Sequence, residues 1–205
     1  MRIVALSDTH GAHGRLVMPA ADVLVCAGDF TRRGTWAEIE AFLLWFAGLE
    51  ASERVLIGGN HDAGAEAEPE RMRERCEDLG IRWLVDEPAT VAGLAVWGSP
   101  CSPPFKSTAF ARDRGSAAWD RIPAGLDLLV THGPPARIRD RALLGHVGCE
   151  GLRAAVLARP PRVHVFGHIH EAHGEHREPS CPTRFVNVAI KGIFGGLRTP
   201  TVLEL

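Results

Sequence analysis

The chain lacks the features that mark several protein classes. Its five cysteines include no CxxC pair, and an odd, dispersed set argues for a reducing compartment without a disulfide framework. The longest strongly apolar stretch covers only residues 41–49, whereas a membrane-spanning helix needs about 20 residues. No pattern typical of a secretory signal precedes the first predicted strand. We therefore expect a soluble, cytoplasmic protein that does not interact with membranes.

The sequence also lacks a strong charge bias. The formal net charge is −2, and no basic stripe with interleaved aromatic residues is present, so we expect no binding to long nucleic acids. A nucleotide substrate remains compatible with this balance, because a local metal centre would supply the attraction. The 205 residues contain no internal repeat and no obvious linker, which predicts a single domain over 1–205. No pattern indicates an oligomeric state.

Strand and helix patterns alternate in the first half of the chain, and strands dominate the second half. This order predicts an α/β sandwich whose sheets carry helices on their outer faces. The predicted strands are 2–7, 22–27, 54–58, 81–85, 90–97, 126–131, 162–166, 184–190 and 201–204. The predicted helices are 35–48, 66–79 and 149–158, and the stretch 101–121 is predicted to be a long functional loop.

Five of the predicted strands end in clusters of side chains that bind metals. The clusters are Asp8-Thr-His10, Gly28-Asp29, Gly59-Asn-His-Asp62, His132-Gly133 and Gly167-His-Ile-His170. Ligands of open α/β sheets gather beyond the carboxyl ends of the strands. We therefore expect the five clusters to converge at that edge. The two histidines at spacing two in the last cluster are expected to point to one side of an extended segment.

These clusters contain the ligand types of a two-metal site. Two cations about 3.5–4 Å apart need a bridging anion and several oxygen and nitrogen ligands, and can then clamp a phosphoryl group. A mixed set of Asp, His and Asn ligands without thiolates suits Mn, Fe, Zn or Ni. The candidate ligands are Asp8, His10, Asp29, Asn60, His132, His168 and His170. We expect two divalent ions, with Mn the metal of choice in vitro.

The order D-x-H, GD, GNHD, H and GHxH resembles the calcineurin-like metallophosphoesterase superfamily over residues 8–170. The resemblance implies a four-layer αββα sandwich of two mixed sheets, with the dimetal site at the edge where the strands end. It implies that a hydroxide held between two metals attacks phosphorus in line. In the family pattern, one metal is held by Asp8, His10 and His170, the other by Asn60, His132 and His168, and both by Asp29. His61 is then the acid that protonates the leaving oxygen.

The segments around these motifs resemble one branch of that superfamily more closely. Trp97-Gly-Ser-Pro100, Thr131-His-Gly-Pro-Pro135 and His146-Val-Gly-Cys149 are similar to the metallophosphoesterase-domain-containing proteins of animal brain and their microbial relatives. This resemblance implies phosphodiesterase activity on small diesters such as cyclic nucleotides. The phosphoprotein phosphatase branch instead has an acidic residue where this chain has Arg32, so a protein phosphatase is not expected.

Several further residues are candidates for roles beside the metals. Asp62 or a backbone carbonyl would orient His61, and Arg33 is a candidate contact to the substrate phosphate. Arg32, Phe105 and Lys106 are candidate substrate-binding residues, although an ordinary surface loop or turn explains them equally well. The competing functions are a phosphomonoesterase or nuclease of the same superfamily, and a non-catalytic protein-binding scaffold. Retention of all the ligands and of the catalytic histidine favours an enzyme.

Overall fold

We analysed the protein as a computed structural model, which describes residues 1–104, 109–115 and 117–205. Its strands are β1 (Arg2–Leu6), β2 (Val23–Ala27), β3 (Glu53–Ile57), β4 (Arg82–Trp83), β5 (Glu87–Val91), β6 (Leu94–Ser99), β7 (Leu128–Thr131), β8 (Arg141–Ala142), β9 (Gly145–His146), β10 (Val163–Phe166), β11 (Gly174–Glu178), β12 (Cys181–Asn187) and β13 (Thr201–Glu204). Its α-helices are α1 (Trp36–Ala47), α2 (Ala63–Ala67), α3 (Pro69–Asp78) and α4 (Glu150–Ala158). None of the helices in the described ranges has the length and apolar character needed to cross a bilayer.

The strands form two large mixed sheets and a small hairpin. Sheet 1 has the order β13-β1-β2-β3-β4, in which only β13 runs antiparallel to its neighbour. Sheet 2 has the order β11-β12-β10-β7-β6-β5, with the antiparallel strands β11 and β5 at its two edges. Strands β8 and β9 pair with each other as a two-stranded sheet. Both sheets therefore have a parallel centre whose strands end at a common edge.

Alternation along β1 explains how the layers assemble. Ile3 and Ala5 belong to the apolar cluster between the two sheets, whereas Val4 and Leu6 pack against the helices outside sheet 1. Successive side chains of a strand point to opposite faces, so a strand that is apolar throughout must be covered on both sides. Helix α4 covers the outer face of sheet 2 in a third cluster. The predicted four-layer αββα fold is confirmed.

Helix α1 follows the predicted boundaries closely. Thr35 caps its first turn in a capping box, in which the hydroxyl accepts a hydrogen bond from the Glu38 backbone N–H and the Glu38 carboxylate accepts one from the Thr35 N–H. This exchange satisfies two N–H groups at the helix start that have no partner within the helix. The apolar residues at helical spacing then bury against sheet 1.

The helix predicted over 66–79 is confirmed over most of its length but is interrupted near its start. The structure has the short helix α2 up to Ala67, and α3 begins only at Pro69. Between them, Glu68 has φ −127° and ψ 65°. The residue before a proline is sterically excluded from the helical region, and this separates the two helices. Strand 81–85 is likewise shorter than predicted and is reduced to β4.

The strands predicted over 90–97 and 184–190 also needed correction. The first is a hairpin of β5 and β6, because Ala92 (φ 49°) and Gly93 (φ 82°) form a two-residue turn with the backbone conformation that hairpins favour. Alanine is uncommon at such a position, so the sequence does not predict a turn there. The second begins earlier, as β12, and pairs with β11, which the sequence analysis did not predict. The predicted loop 101–121 ends in a 3₁₀ helix, Ala117–Arg121.

Candidate metal centre

The candidate ligands lie at the edge where parallel strands of both sheets end. In sheet 1 they follow β1, β2 and β3, and in sheet 2 they follow β7 and β10. Four of them share a left-handed backbone conformation that residues other than glycine rarely adopt. These are Asp8, His10, Asp29 and His168, with φ from 44° to 68°. Strained backbone of this kind concentrates at functional sites, where the surrounding structure enforces it.

The first group of possible metal ligands consists of Asp8, His10 and His170, whose ligand atoms all lie within 4.8 Å of one another. The Nε2 atoms of His10 and His170 are 3.2 Å apart, and His170 Nε2 lies 3.3 Å from Asp8 Oδ1. Asp8 Oδ2 accepts hydrogen bonds from the Ser7 hydroxyl (2.5 Å) and the His168 N–H (2.9 Å). Its other oxygen, Oδ1, is therefore the one directed at the histidines.

The second group consists of Asp29, His132 and His168, again within 4.8 Å. His132 Nε2 lies 2.9 Å from Asn60 Oδ1 and 3.4 Å from Asp29 Oδ1. His132 Nδ1 is 2.9 Å from the Ala27 carbonyl. Because a carbonyl can only accept, Nδ1 carries a proton, and Nε2 is the nitrogen that faces the site. This arrangement is typical of a metal-binding histidine.

Asp29 lies between the two groups. Its Oδ1 faces His132, and its Oδ2 lies 3.8 Å from His10 Nε2 in the first group. One carboxylate thus presents one oxygen to each group, which is the arrangement that a ligand bridging two cations requires. The strand β2 that carries it occupies the centre of sheet 1, so Asp29 has ligands on both sides.

The chemistry of this cluster fits divalent metals. Within the described part of the chain, Asp8 Oδ1 is buried and accepts no hydrogen bond, although a buried carboxylate oxygen normally has a partner. A cation would satisfy it. The donors are carboxylate, amide and imidazole groups, and all five cysteines are free and buried. Oxygen and nitrogen donors without thiolate exclude a structural zinc site of the cysteine type.

Burial and neighbouring charges favour the deprotonated forms of Asp8 and His168 and the protonated form of His132. Burial would raise the pKa of Asp8, but the contact with His170 and the charge of His132 hold that pKa well below its usual range. Burial would likewise lower the pKa of His132, but the carboxylate of Asp29 raises it to about 9. His168, where burial prevails, has its pKa lowered to about 4. Metal binding replaces such protons on the ligands.

His61 lies beside Asp29 without occupying either group. Its backbone N–H donates to Asp29 Oδ1 (2.8 Å), and its ring meets that of His10 edge to face at 4.7 Å. Its Nδ1 lies 3.2 Å from the Arg32 carbonyl. The carbonyl fixes the proton on Nδ1 and leaves Nε2 to exchange a proton with a ligand. Its ligand atom also lies within 4.8 Å of those of His10 and Asp29.

The structure gives Asp62 partners other than His61. Its buried carboxylate accepts hydrogen bonds from the backbone N–H groups of Asp29 (2.9 Å), Thr31 (2.9 Å) and Gly59 (2.8 Å), and from the Thr31 hydroxyl (2.7 Å). The predicted orienting role therefore belongs to the backbone carbonyl that contacts His61. Asp62 instead joins the loop after β2 to the loop after β3.

The other predictions concerned two arginines, two residues of the predicted loop, and the backbone of the histidines after β10. Arg32 and Arg33 are exposed, and their contact with the site is made by the Arg32 carbonyl, which lies next to His61 Nδ1. Phe105 and Lys106 lie outside the described residues. The two histidines after β10 do not lie on an extended segment as predicted, because His168 has φ 68° and a 3₁₀ turn begins at His170. That backbone reversal sends them to different groups.

A cavity of about 230 Å³ opens beside His168. Its walls are mostly apolar, with one cation and one carboxylate. They are formed by Pro103, Pro104, Arg114, Ala142, Val147, His168, Ile169 and Glu171. Arg114 is held by the Val147 carbonyl, to which it donates at 2.8 Å. A small apolar slot that borders a polar centre suits the organic part of a substrate.

Comparison with known proteins identifies the family of this chain. The family model described as calcineurin-like phosphoesterase matches residues 1–172, a stretch that contains every candidate ligand. The chain belongs to the calcineurin-like phosphoesterase family. It is accordingly a metal-dependent phosphoesterase, and the resemblance seen in the sequence is confirmed.

Curated relatives agree with this membership. The human metallophosphoesterase domain-containing protein 1 is 34% identical over 100% of this phosphoesterase and 71% of its own length. A UPF0046 protein of Caenorhabditis elegans is 33% identical over 85% of this chain and 52% of its own. The resemblance to metallophosphoesterase-domain-containing proteins thus extends over the whole chain.

Solved structures share the fold at low sequence identity. The phosphopantetheinyl hydrolase of Mycobacterium tuberculosis aligns with a TM-score of 0.66 and 14% identity over 93% of this chain and 89% of that one. An archaeal phosphodiesterase aligns with a TM-score of 0.54 and 16% identity over 100% and 93% of the two chains. Both belong to the same fold as this phosphoesterase.

Two residues at the site were missed by the sequence analysis. Asn187 ends β12, and Arg198 lies in the loop that follows it; both contact the loop that carries His168 and His170. Asn187 lies inside the strand predicted over 184–190, so it lacked the position at a strand end that marked the other clusters. Arg198 gave no comparable signal, because it contributes through hydrogen bonds to carbonyls distant in sequence.

Proposed function

We propose that the protein is a dimetal phosphodiesterase that hydrolyses small phosphodiesters, with cyclic nucleotides as the candidate natural class. The observation that carries this proposal is the position of Asp29, one oxygen of which faces each group of possible ligands. A single metal would not need this carboxylate between two groups. Residues placed in this way could hold two cations, which together would stabilise both the attacking and the leaving oxygen of a phosphoryl group.

The ligand assignment follows from the two groups. Asp8, His10 and His170 would hold one cation, and Asn60, His132 and His168 the other, with Asp29 shared. When bound, the cations supply Lewis-acid polarisation of the phosphoryl group and a lowered pKa for an attacking water. The donor set suits Mn, Fe, Zn or Ni, and we propose Mn for reconstitution.

His61 is the proposed proton donor to the leaving oxygen. Its Nδ1 proton is committed to the Arg32 carbonyl, at 3.2 Å. Only Nε2 can then exchange a proton with a substrate. A positioned acid of this kind contributes typically 10²–10⁴-fold to a rate. Arg33, which is exposed near this loop, is a proposed phosphate contact.

The cavity beside His168 supports a diester over a monoester. A diester places a second organic group next to the phosphorus, and the walls of Pro103, Pro104 and Ile169 offer that group an apolar surface. A monoester has only one organic group to place and carries an additional negative charge. The one cation of the cavity, Arg114, is matched by one carboxylate, Glu171, so the two side chains add no net positive charge for such a group.

The decisive experiment compares substrate classes in the Mn-loaded protein. We would assay a bis-aryl phosphate diester, an aryl phosphate monoester, and 2′,3′- and 3′,5′-cyclic AMP, each with wild-type protein and the His61→Ala variant. Diester turnover that is lost in the variant is the expected result. Turnover of the monoester alone would establish a phosphomonoesterase instead. No turnover despite two bound ions would favour the protein-binding scaffold.

A single domain over 1–205 and a cytoplasmic location stay predictions.

A further inference from the structure

The loop that carries His168 and His170 is held from behind by residues outside the matched family region. That region ends at residue 172. Strand β12 and the segment after it then return to the site edge, where Val188 N–H donates to the Phe166 carbonyl at 2.8 Å. The chain beyond the family match is thus part of the scaffold of the metal centre.

Asn187 is the first contact. It is fully buried, and its side-chain amide donates to the Ile169 carbonyl at 3.0 Å and approaches the Gly167 carbonyl at 3.5 Å. Its own oxygen accepts from the Ala189 N–H at 3.0 Å. The carbonyls on both sides of His168 therefore face one amide group.

Arg198 is the second contact. One guanidinium nitrogen donates to the carbonyls of Ala189 and Lys191, both at 3.1 Å, and the other donates to the His170 carbonyl at 3.0 Å. The carbonyls of Ala189, Lys191 and His170 lie outside the named strands, so strand pairing does not supply their donors. A buried carbonyl left without a donor costs about 1–3 kcal/mol, so the fork has a defined structural role.

The same segment also reaches the loop of Asp8. Ser7 N–H donates to the Val188 carbonyl at 3.1 Å, and Ile190 N–H donates to the Ser7 carbonyl at 2.9 Å. Ser7 in turn donates its hydroxyl to Asp8 Oδ2. The segment Asn187–Ile190 therefore lies between the loop of Asp8 and the loop of His168 and His170.

We propose that Asn187 and Arg198 form a clamp that positions His168 and His170 for metal binding. The inference rests on the proposed dimetal function. Partners that orient metal ligands typically account for 10–100-fold in metal affinity or activity when they are mutated. We therefore expect Arg198→Met to weaken one of two metal-binding steps by that factor and to leave the other step close to wild type.

The sign of the effect separates positioning from charge. Arg198 is a cation that contacts the backbone of a proposed ligand, so on charge alone its removal would strengthen the binding of a dication. If Arg198 instead positions the ligand loop, its removal weakens the binding of the dication. Arg198→Lys keeps the charge but loses the two-nitrogen fork, and is expected to weaken the same step, less strongly than Arg198→Met.

The test is a titration of Mn²⁺ into metal-free protein by calorimetry, with thermal unfolding in EDTA as a second measurement. Arg184→Met is the matched control, because Arg184 lies in β12, the strand that precedes the loop of Arg198, and pairs with the exposed Glu175. The expected result is selective weakening in the Arg198 variants with unchanged binding in the control. Asn187→Asp, which replaces the donor facing the Ile169 carbonyl by an acceptor, is expected to weaken metal binding as well.

Three outcomes would overturn the clamp. These are two binding steps of wild-type affinity in Arg198→Met, stronger binding in that variant, and a loss of binding that merely follows unfolding of the metal-free protein. If wild-type protein itself bound fewer than two ions, the proposed function would fail together with the clamp. Wild-type binding of two ions with an unchanged variant would reject the clamp alone.

Discussion

Gly28→Ala tests how closely the loops that carry the candidate ligands must approach. Gly28 precedes Asp29 and has φ +89°, in the left-handed region. A Cβ atom there would lie 2.3 Å from the Gly58 carbonyl oxygen and 2.8 Å from the Gly59 nitrogen. These neighbours are backbone atoms of the loop after β3, so no side chain can rotate away. The two loops would have to separate.

The expected cost has two parts. The left-handed conformation costs a residue other than glycine roughly 1–2 kcal/mol, and overpacking against fixed atoms typically costs about 1–3 kcal/mol more. We therefore expect a loss of about 2–5 kcal/mol in the free energy of unfolding, a large share of the roughly 5–15 kcal/mol of a typical domain. Metal binding should weaken too, because Asp29 would move away from Asn60 and His132.

Gly125→Ala provides the matched control. Gly125 has φ +78°, but a Cβ atom there would meet no atom of the described residues within 4 Å. This variant should lose only the conformational part, roughly 1–2 kcal/mol. Urea unfolding of both variants in EDTA measures the difference directly, and Mn²⁺ titration measures the effect on the site. Equal free energies of unfolding for the two variants would refute the close-approach argument.

Three further predictions concern side chains. His61→Ala should retain both metals and lose about 10²–10⁴-fold in kcat; undiminished turnover would remove His61 from the mechanism. Asp29→Ala should lower the occupancy of both metals, and a variant that still binds two ions per chain would contradict a bridging role. His164 is fully buried, and burial lowers its pKa to about 3, so between that value and its unfolded pKa of about 6.5 the unfolded state binds the extra proton. Stability should therefore fall as pH drops below 6.5, by about 1.4 kcal/mol per pH unit. His164→Gln, measured without metal, should lose this component; parallel curves of unfolding free energy against pH would contradict it.

Much of the fold follows from local patterns in the sequence. The apolar runs that became β1, β2, β3, β7 and β10 are short and continuous, and each is buried on both faces. Continuous apolar runs of that length are typical of central parallel strands. Their polar ends then mark the edge where ligands gather. That reasoning located all seven candidate ligands, which the structure places in one cluster.

The errors have identifiable physical causes. The turn at Ala92 uses a residue that seldom adopts a positive φ, so its sequence does not signal a hairpin. Strand β11 is polar and half-exposed (Gly174–Glu178) and is defined by its pairing with β12. Of the two partners expected for His61, Asp62 or a backbone carbonyl, the structure has the Arg32 carbonyl, because the Asp62 carboxylate is occupied by backbone N–H groups. Hydrogen bonds to distant carbonyls, as made by Arg198, leave no periodicity to detect.

The two sheets contribute jointly to each group of candidate ligands, and this has an energetic consequence. Asp8 and His10 come from sheet 1 and meet His170 from sheet 2, while Asp29 from sheet 1 meets His132 from sheet 2. A metal bound by either group would therefore cross-link the two sheets at their common edge. A ligand that binds only the native state adds about 4.1 kcal/mol of stability at 1,000 times its Kd. Because the apolar layer between the sheets fixes their spacing, the packing of that layer and the affinity for metal are thermodynamically coupled. A core substitution that shifts one sheet against the other should therefore weaken metal binding, even when it lies far from every ligand.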